Sequence, residues 1–487
     1  MNVAAWRAGH LPGIDAAEVR WHTLPFAAHG RELQVEVPIL TAPQMLAVTR
    51  TVRQAARERL QAMPVDEIIE VLGAVVTRLL EPTDPRRREL DDLLPVVTGF
   101  DPEMVQLGLT ACLQGFRAPQ LRRFVAQDFS NPKILDGFQP ALKGGAVRAF
   151  GPSLLAHVWA GNVPGLPLWS MACGLLVKAG NIGKLPSAEP VFASVVARLI
   201  AELHPPLADA LAVVWWQGGG VPGVDAILFR ESETVLAYGG DAALQALRER
   251  VPVTTRFLPY GHKLGVALVG RAALDRLHGP ASARLAARDV ARYEQQGCYS
   301  PHVVYVERGG EVSPRAFSHY LAAELANLQH RHPARVLTLD EAAAVARWHQ
   351  AAEWNESLEL IGNDRCGWTV VFSDVLEPLA PTPGQRCVLV SAADALDRVV
   401  PLLASHAPVL QTVGLATTPE LLYGLAERLG QAGVTRIAPL GSMTQPEPGW
   451  HHDGRFSLAD LVRMVEIDAA TERAADRLAP YAQEEPR

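Results

Sequence analysis

Hydrophobic residues follow a helical spacing in the first part of the chain and a mixed spacing later. Before about residue 140, the apolar spacing predicts mainly helices, including one over 43–63 and one beginning at Asp101. The segment LQVEVPIL (33–40) is the early stretch that favours a strand. Within 66–80, one apolar helical face is formed by Ile68, Ile69, Leu72, Val75, Val76 and Leu79.

From about residue 145, short apolar runs alternate with helical stretches. The runs LLAHVWA, NIGK, LAVVWW and TVLAYGG form a first series, and KLGVALVG, HVVYVE, WTVVFS, CVLVSAADAL and VTRIAPL form a second. This alternation indicates β-α-β units and parallel sheets that are covered on both faces. We therefore expect two α/β domains with a ligand cleft between them. The predicted helices of this part cover 166–179, 189–203, 241–250, 280–295, 313–331 and 419–429.

One segment, 149–177, contains no Asp, Glu, Lys or Arg. Membrane-spanning helices often lack these charged residues too. Glycine and proline interrupt it, so it predicts a strand, a glycine-rich turn and a buried helix rather than a membrane span. The interrupting residues are Gly151, Pro152, Gly161, Pro164, Gly165 and Pro167.

The composition narrows the class of protein. Of 487 residues, 48% are hydrophobic and 20% are charged, which is typical of a globular chain with more than one core. A formal net charge of -7 disfavours a nucleic-acid binder held by its overall charge. The five cysteines are far apart and lack zinc-site spacing, so we expect no metal and a reducing, cytoplasmic compartment. The N-terminus has no apolar run of signal-peptide length.

The stretch YEQQGCYSPH places Cys298 on a predicted loop between a helix and a strand. Such loops often carry reactive side chains, and a catalytic cysteine acts as a thiolate whose pKa its surroundings must lower. From spacing alone, Cys298 is either a nucleophile or a buried structural thiol. His302, at the start of the next strand, is either a proton relay or a structural residue of the strand edge.

Further candidate residues follow the ends of predicted strands. Asn162 lies in a turn set by glycine and proline, where its amide suits either an oxyanion or the turn itself. Lys184 ends the second strand, where a lysine either pairs with nucleotide phosphate or is a solvated charge. Gly239 and Gly240 form a turn that would let a ligand approach the backbone.

Taken together, these segments resemble the acyl-CoA reductase family typified by the fatty acid reductase of bacterial bioluminescence, within the aldehyde dehydrogenase superfamily. The matching blocks fall in the family's order between about residues 30 and 465. The resemblance implies an aldehyde dehydrogenase-like α/β fold with a Rossmann-type cofactor domain, an α/β catalytic domain and an oligomerisation arm. The blocks are HVWAGNVPGLPLWSMACGLLVKAGNIGKLPSAEPVFA, AYGGDAAL, EQQGCYSPHVVYVE and PLGSMTQPEPGWHHDGR.

The resemblance divides the chain into four parts. Residues 1–140 are expected to form an N-terminal helical part of the cofactor domain, and 141–257 the Rossmann-type NADP-binding domain. Residues 258–440 form the expected catalytic domain with Cys298, and 441–487 a C-terminal segment that takes part in oligomerisation. Because the family commonly pairs through an extended arm and a C-terminal strand, we expect a homodimer or homotetramer.

The resemblance also implies roles for single residues. The tripeptide QGC that ends at Cys298 matches the loop of the nucleophile, and Asn162 matches the oxyanion-hole asparagine. Lys184 matches a lysine at the adenosine ribose. Ser187 stands where NAD-dependent members often have a glutamate, which favours NADPH over NADH, although Glu189 lies nearby. The other implied cofactor contacts are Trp159, Ala160, Gly239, Gly240 and Glu377.

One departure from the superfamily pattern is informative. Aldehyde-oxidising members carry a general-base glutamate, and Pro259 occupies its place in this chain. Without that carboxylate, water near an acyl-enzyme is poorly activated, which favours reduction over hydrolysis. The implied reaction is the NADPH-dependent reduction of an acyl-CoA to an aldehyde through a thioester on Cys298.

Other functions remain open at this point. Acyl phosphate or acyl-carrier-protein could replace acyl-CoA as the donor, or Cys298 could serve an acyltransferase or thioesterase without hydride transfer. A cofactor-binding pseudoenzyme is disfavoured by the presence of Cys298, Asn162 and Lys184. His451 and His452, in the block GWHHDGR, have no role that the sequence explains.

Overall fold

The computed structural model describes residues 4–219, 223–363 and 366–479. The strands in this part of the chain are β1 (Ala4–Arg7), β2 (Arg20–Ala28), β3 (Arg31–Ile39), β4 (Gln139–Pro140), β5 (Ala146–Phe150), β6 (Leu154–Val158), β7 (Gly180–Lys184), β8 (Leu211–Val214), β9 (Thr234–Tyr238), β10 (Arg256–Tyr260), β11 (Leu264–Val269), β12 (Pro301–Glu307), β13 (Leu358–Asn363), β14 (Trp368–Ser373), β15 (Cys387–Ala393), β16 (Leu410–Ala416), β17 (Arg436–Pro439) and β18 (Arg463–Ile467).

Helices connect these strands and cover the sheets. They are α1 (Ala42–Glu58), α2 (Val65–Leu80), α3 (Pro85–Thr98), α4 (Pro102–Gln114), α5 (Ala118–Asp128), α6 (Leu166–Leu176), α7 (Phe192–Leu203), α8 (Pro205–Ala208), α9 (Val224–Glu231), α10 (Asp241–Arg248), α11 (His278–Ala291), α12 (Pro314–Arg331), α13 (Leu339–Glu353), α14 (Val400–Ala404), α15 (Pro419–Gln431) and α16 (Ala469–Leu478).

The first of the two large sheets is fully parallel and has the strand order β10-β9-β6-β7-β8. Its central strand β6 is buried along its whole length, as expected for a parallel strand covered on both faces. The chain order reverses between β6 and β9, and ligands bind at the carboxyl ends of strands at such a switch point. This sheet places the residues after β6 and β9 beside each other.

The second large sheet has the order β13-β14-β15-β12-β11-β16-β17, with β13 antiparallel to the rest. Residues 261–263 join β10 of the first sheet directly to β11 of the second. Because this link is so short, the carboxyl edge of the first sheet faces the amino edge of the second. The predicted pair of α/β units with a cleft between them is confirmed.

The predicted strand, turn and buried helix of 149–177 are also confirmed as β6, a turn and α6. The helix α6 buries nine of its eleven residues. In the described part of the chain, no helix is both long and apolar enough to cross a bilayer.

The prediction of a mainly helical N-terminus was incomplete, because β1, β2 and β3 form a three-stranded sheet there. The strand β2 was missed because none of its nine residues is buried, so its hydrophobic pattern has no core face. A two-residue turn joins β2 to β3, and both His29 (φ +52°) and Gly30 (φ +69°) have the positive φ of a type I′ hairpin. A last small sheet, β18-β5-β4, includes the C-terminal strand.

Candidate active site

A cavity of about 720 Å³ lies between the facing edges of the two large sheets. Cys298, Asn162, Gly239 and Gly240 all line it, although they come from three separate parts of the sequence. Its other end is bounded by α4, the start of α5 and the segment 444–450. The residues predicted for nucleophile, oxyanion donor and glycine turn therefore meet in one space.

The loop that carries Cys298 follows an unusual stretch of backbone. After α11 ends at Ala291, the consecutive residues Tyr293, Glu294 and Gln295 have φ of +51°, +53° and +63°. Non-glycine residues rarely adopt this conformation, and such strain persists only where the surroundings enforce it. The turn then delivers Cys298 just before β12, so the predicted loop between a helix and a strand is confirmed.

A buried ion pair holds this strained stretch in place. Arg386 donates from Nε and from one terminal nitrogen to the Glu294 carboxylate at 2.8 and 2.7 Å, and both side chains are almost fully buried. The backbone N–H of Gln385 also donates to the Glu294 carbonyl at 3.1 Å. Two-point binding of this kind fixes the direction of a carboxylate. The pair therefore anchors the chain four residues before Cys298.

The Cys298 thiol is in a desolvated position. Burial raises its pKa to about 12, and the neighbouring Gln411 side chain opposes that effect. The nearby Asp453 carboxylate raises the pKa further, and Arg436 lowers it. This differs from the expectation of a lowered pKa, because desolvation outweighs the neighbouring groups that favour the thiolate.

Asn162 bridges the two domains at the Cys298 loop. It lies in the turn between β6 and α6, and its Nδ2 donates to the Gln296 carbonyl at 2.8 Å. A primary amide has two hydrogens, so the second remains for a ligand in the cavity. Asn162 is thus fixed to the backbone two residues before Cys298.

Ala160 lines the cavity, but the adjacent Trp159 side chain does not. The Trp159 indole is buried and donates to Ser170 Oγ at 2.6 Å. It packs so closely on Gly183 that a Cβ there would lie 1.7 Å from the ring. The Trp159 side chain packs in the protein interior, so only its backbone lies near the switch point between β6 and β9.

Except for Glu377, which follows β14 of the second sheet, the predicted cofactor residues lie along the carboxyl edge of the first sheet. No atom lies within 4 Å of the position that a Cβ on Gly240 would take, so the turn before α10 is open. Lys184 ends β7, and burial lowers its pKa to about 8. In the described part of the chain no carboxylate pairs with its ammonium group. An open glycine turn and a half-buried lysine without a carboxylate partner fit a dinucleotide.

Glu189 and the predicted cofactor contact Glu377 both have hydrogen-bond partners within the protein. The Glu189 carboxylate is buried and accepts from the N–H groups of Val191 and Phe192, both at 2.8 Å, at the start of α7. Glu377 accepts from Ser373 Oγ at 2.7 Å and is not among the cavity residues. By contrast, Ser187 is exposed, and its Oγ accepts from the Trp215 indole at 3.1 Å.

The position of His302 favours the structural reading. Its Nδ1 accepts from the Thr382 backbone N–H at 3.1 Å, and burial lowers its pKa to about 4. It does not line the cavity, whereas His262, in the link between the sheets, does. His302 therefore serves the strand edge and not the reacting centre.

A stack of aromatic rings forms one wall of the cavity and was not predicted. Trp450 lies 4.7 Å from His452, His452 lies 4.5 Å from Tyr260, and Tyr260 lies 5.0 Å from Tyr238, between ring centroids. Burial keeps His452 neutral by lowering its pKa to about 4. The rings come from three segments, so no local spacing could have shown the stack. Through Trp450 and His452, the block GWHHDGR forms part of the candidate site.

Comparison with known sequences agrees with this arrangement. The family model described as acyl-CoA reductase (LuxC) matches residues 60–464. The chain is 25% identical over 412 residues to a long-chain acyl-protein thioester reductase of Photorhabdus luminescens, covering 82% of this chain and 81% of that protein. It is 24% identical over 439 residues to the enzyme of the same name from Photobacterium phosphoreum, covering 89% and 85%.

Solved structures with a similar fold include several aldehyde dehydrogenases. A gamma-glutamyl-gamma-aminobutyraldehyde dehydrogenase from Burkholderia cenocepacia J2315 matches with a TM-score of 0.73 and 17% identity, over 96% of this chain and 97% of that one. An indole-3-acetaldehyde dehydrogenase from P. syringae matches with a TM-score of 0.73 and 14% identity, over 96% and 97%. The expected aldehyde dehydrogenase-like α/β fold is confirmed.

Proposed function

Because the chain belongs to the acyl-CoA reductase (LuxC) family, we propose that it reduces an acyl-CoA thioester to an aldehyde, with Cys298 as nucleophile and NADPH as hydride donor. The observation that carries this proposal is the single cavity that Cys298 shares with Asn162 and the Gly239–Gly240 turn. A nucleophile, an oxyanion donor and a cofactor turn are the groups that acyl transfer followed by reduction needs.

In the first step, the Cys298 sulfur forms a bond to the thioester carbonyl carbon. The bond from that carbon to the CoA sulfur then breaks, and the thiol proton leaves with CoA. The free N–H of Asn162 and the Cys298 backbone N–H are the proposed donors to the oxyanion. Their fixed geometry lowers the barrier because the donors need no reorganisation during the reaction.

The cavity disfavours hydrolysis of the acyl-enzyme. Among the described residues that line it, the one carboxylate is Glu447, which is 76% exposed at the rim. Pro259 has no group that could accept a proton from water. A thioester on Cys298 would therefore last until it is reduced.

The residues proposed to hold the cofactor are Gly239, Gly240, Lys184 and Ser187, with Trp159, Ala160 and Glu377 as further contacts. A bound nicotinamide would supply hydride to the acyl carbon; the bond from that carbon to the Cys298 sulfur would then break, releasing the aldehyde, and the sulfur would take up a proton. NADPH is favoured over NADH because Ser187 presents a neutral hydroxyl and Glu189 is committed to the start of α7. Neither residue would repel a 2′-phosphate near Lys184.

We expect Ser187→Glu to weaken NADPH binding at least tenfold, because it places a carboxylate where the 2′-phosphate is proposed to lie; about 1.4 kcal/mol corresponds to tenfold. The measurement is the Kd of each nucleotide by fluorescence titration. Ser187→Gln is the matched control, of similar size without the charge. Equal NADPH affinity in Ser187→Glu and Ser187→Gln would contradict this placement.

We expect Asn162→Ala to lower kcat by about 100-fold to 1,000-fold, since one oxyanion donor contributes about 3–4 kcal/mol. Single-turnover acylation of Cys298 by acyl-CoA, without nucleotide, isolates the step concerned. Asn162→Asp replaces the amide with a carboxylate, which cannot donate a hydrogen bond to the oxyanion and adds a negative charge. We expect it to slow acylation at least as much as Asn162→Ala does. Unchanged acylation in both variants would remove Asn162 from the mechanism.

The thioester donor is tested by comparing acyl-CoA, acyl-carrier-protein and acyl phosphate of the same chain length with NADPH and NADH. The two relatives above are named acyl-protein thioester reductases, so a protein-bound thioester is the second candidate donor. We expect aldehyde formation from acyl-CoA coupled to NADPH oxidation. Release of CoA and free acid without nucleotide would instead identify a thioesterase and overturn the proposal.

A further inference from the structure

The side chain of Gln411 reaches the nucleophile because of an irregularity in the second large sheet. Leu264 pairs with Leu410 and Val266 pairs with Val413, so the two residues Gln411 and Thr412 lie opposite the single Gly265. Such a β-bulge redirects side chains, and bulges are frequent beside active sites. The bulge lies at the amino end of β16, on the same edge as Cys298.

The Cys298 loop crosses the sheet at this point. A Cβ on Gly265 would lie 2.5 Å from the Tyr299 carbonyl oxygen and 2.6 Å from that of Ser300, so the loop backbone rests directly on the glycine. Gln411 is fully buried next to it. The bulge and the close approach at Gly265 together place the Gln411 side chain beside the Cys298 loop.

The amide of Gln411 has one defined orientation. Its Nε2 donates to Asp453 Oδ1 at 2.7 Å, and its Oε1 accepts from the Thr412 hydroxyl at 3.4 Å. The same side chain lies next to the Cys298 thiol, where it acts to lower the thiol pKa. One hydrogen on Nε2 thus serves the carboxylate, and the second is left for the sulfur.

Asp453 is itself held in position. It lies in the block GWHHDGR with φ of +53°, and its side chain is 12% exposed. Lys263 Nζ lies 3.9 Å from Asp453 Oδ2 and donates to the Pro408 carbonyl at 2.9 Å. A strained turn and a nearby cation therefore fix the carboxylate that orients Gln411.

We propose that Gln411 is a positioning residue for the nucleophile: its amide, oriented by Asp453, donates a hydrogen bond that aims the Cys298 sulfur and stabilises its thiolate during attack on the thioester. This inference rests on the proposed function, since it needs Cys298 as nucleophile. The thiol proton still leaves with the departing thiol, because a carboxamide donates without being deprotonated.

Substitutions of Gln411 and Asp453 should change the stability of the Cys298 thiolate in opposite directions. Gln411→Met keeps the length of the side chain but removes the donor, so the thiolate is less stable. Asp453→Asn keeps an oxygen that accepts from Gln411 but removes a negative charge close to the sulfur, so the thiolate is more stable. The other groups facing the sulfur are Arg436 and the hydroxyls of Tyr238 and Tyr299, and they are unchanged in both variants.

The test is the rate of iodoacetamide alkylation of full-length protein across pH 7 to 11, with the Cys298 peptide quantified by mass spectrometry. At pH 8 we expect Gln411→Met to react about tenfold more slowly than the parent protein, in line with the loss of a hydrogen bond to a charged group. Asp453→Asn should react faster at the same pH. Thr369→Val, which removes a buried hydroxyl from β14, should keep the parent pH profile.

The outcomes separate this inference from the proposed function. If Cys298→Ala still reduces thioester, the proposed function fails irrespective of Gln411. If Cys298 is required but both variants keep the parent pH profile, or shift it in the same direction, the positioning role is overturned. Thermal unfolding of each variant checks that a changed alkylation rate is a property of the folded protein. If Gln411→Met does not fold, the pH profile of Asp453→Asn alone tests the positioning role.

Discussion

Replacement of Cys298 by alanine should abolish thioester reduction and leave cofactor binding intact. The sulfur is the proposed site of the covalent intermediate, whereas the proposed cofactor contacts, Gly239, Gly240 and Lys184, are untouched. The measurements are NADPH oxidation with acyl-CoA and the Kd of NADPH by fluorescence titration. We expect turnover at the level of the blank and a Kd within about twofold of the parent value, a difference of under 1 kcal/mol.

Cys173→Ala is the matched control for this loss. Cys173 is buried in α6, and burial raises its pKa, but it does not line the cavity. Removing its sulfur should cost modest stability and little turnover, because the change leaves only a small void. Residual turnover in Cys298→Ala comparable to that of Cys173→Ala would show that the thioester is reduced without a cysteine intermediate.

Arg386→Met should lower the free energy of unfolding by about 3–5 kcal/mol, because it leaves the Glu294 carboxylate buried without its partner. Urea denaturation at several pH values is the measurement. Burial already raises the pKa of Glu294, and Arg386 opposes this effect, so the variant should raise the pKa further. A raised carboxyl pKa costs stability above that pKa, so the deficit should shrink as the pH falls and Glu294 binds a proton.

Arg315→Met provides a comparison in which the ion pair is exposed. Arg315 lies 2.7 Å from Glu359, with side-chain exposures of 67% and 30%. Surface pairs contribute about 0–1 kcal/mol, so this variant should unfold almost as the parent protein does. Equal losses in the two variants would mean that burial of the Arg386–Glu294 pair is unimportant.

The loss of Arg386 should also reach the catalytic loop. Glu294 is the middle residue of the three consecutive positive-φ positions, and without its partner these residues can relax toward ordinary conformations. Cys298, four residues later, would then lose its fixed distance to Asn162. Below the unfolding transition, Arg386→Met should therefore retain cofactor binding and lose acylation rate.

Much of the fold was predictable because its signal is local. The alternation of apolar runs and helical stretches after residue 145 predicted both parallel sheets, and helix 66–80 agrees with α2 (Val65–Leu80). The loop position of Cys298 followed from the helix before it and the strand after it. The N-terminal strand β2 was missed because it has no buried face to leave a pattern.

The part of the site that the sequence did not predict depends on contacts between distant segments. Gln411 lies in no motif, and the block GWHHDGR suggested no role for Asp453. Both come near Cys298 only in the folded chain, through the register of β11 with β16 and the hydrogen bond from Gln411 to Asp453. The partner of Glu294 lies 92 residues away. Periodicity reports which residues are buried, but pairing across a sheet is decided by the whole fold. Residues 293–295 have positive φ but include no glycine, so no residue type in the sequence predicted this conformation.

The three-residue link between β10 and β11 has a mechanical consequence. Residues 261–263 join the two sheets beside the cavity, and the chain crosses back between β17 and β18, which pairs with β5, so the two halves are tied together at two points. The second crossing includes Glu447, so the rim of the cavity is held as well as the side next to the link. A cavity tied at two points keeps the separation between the sulfur and the glycine turn nearly constant while a substrate enters.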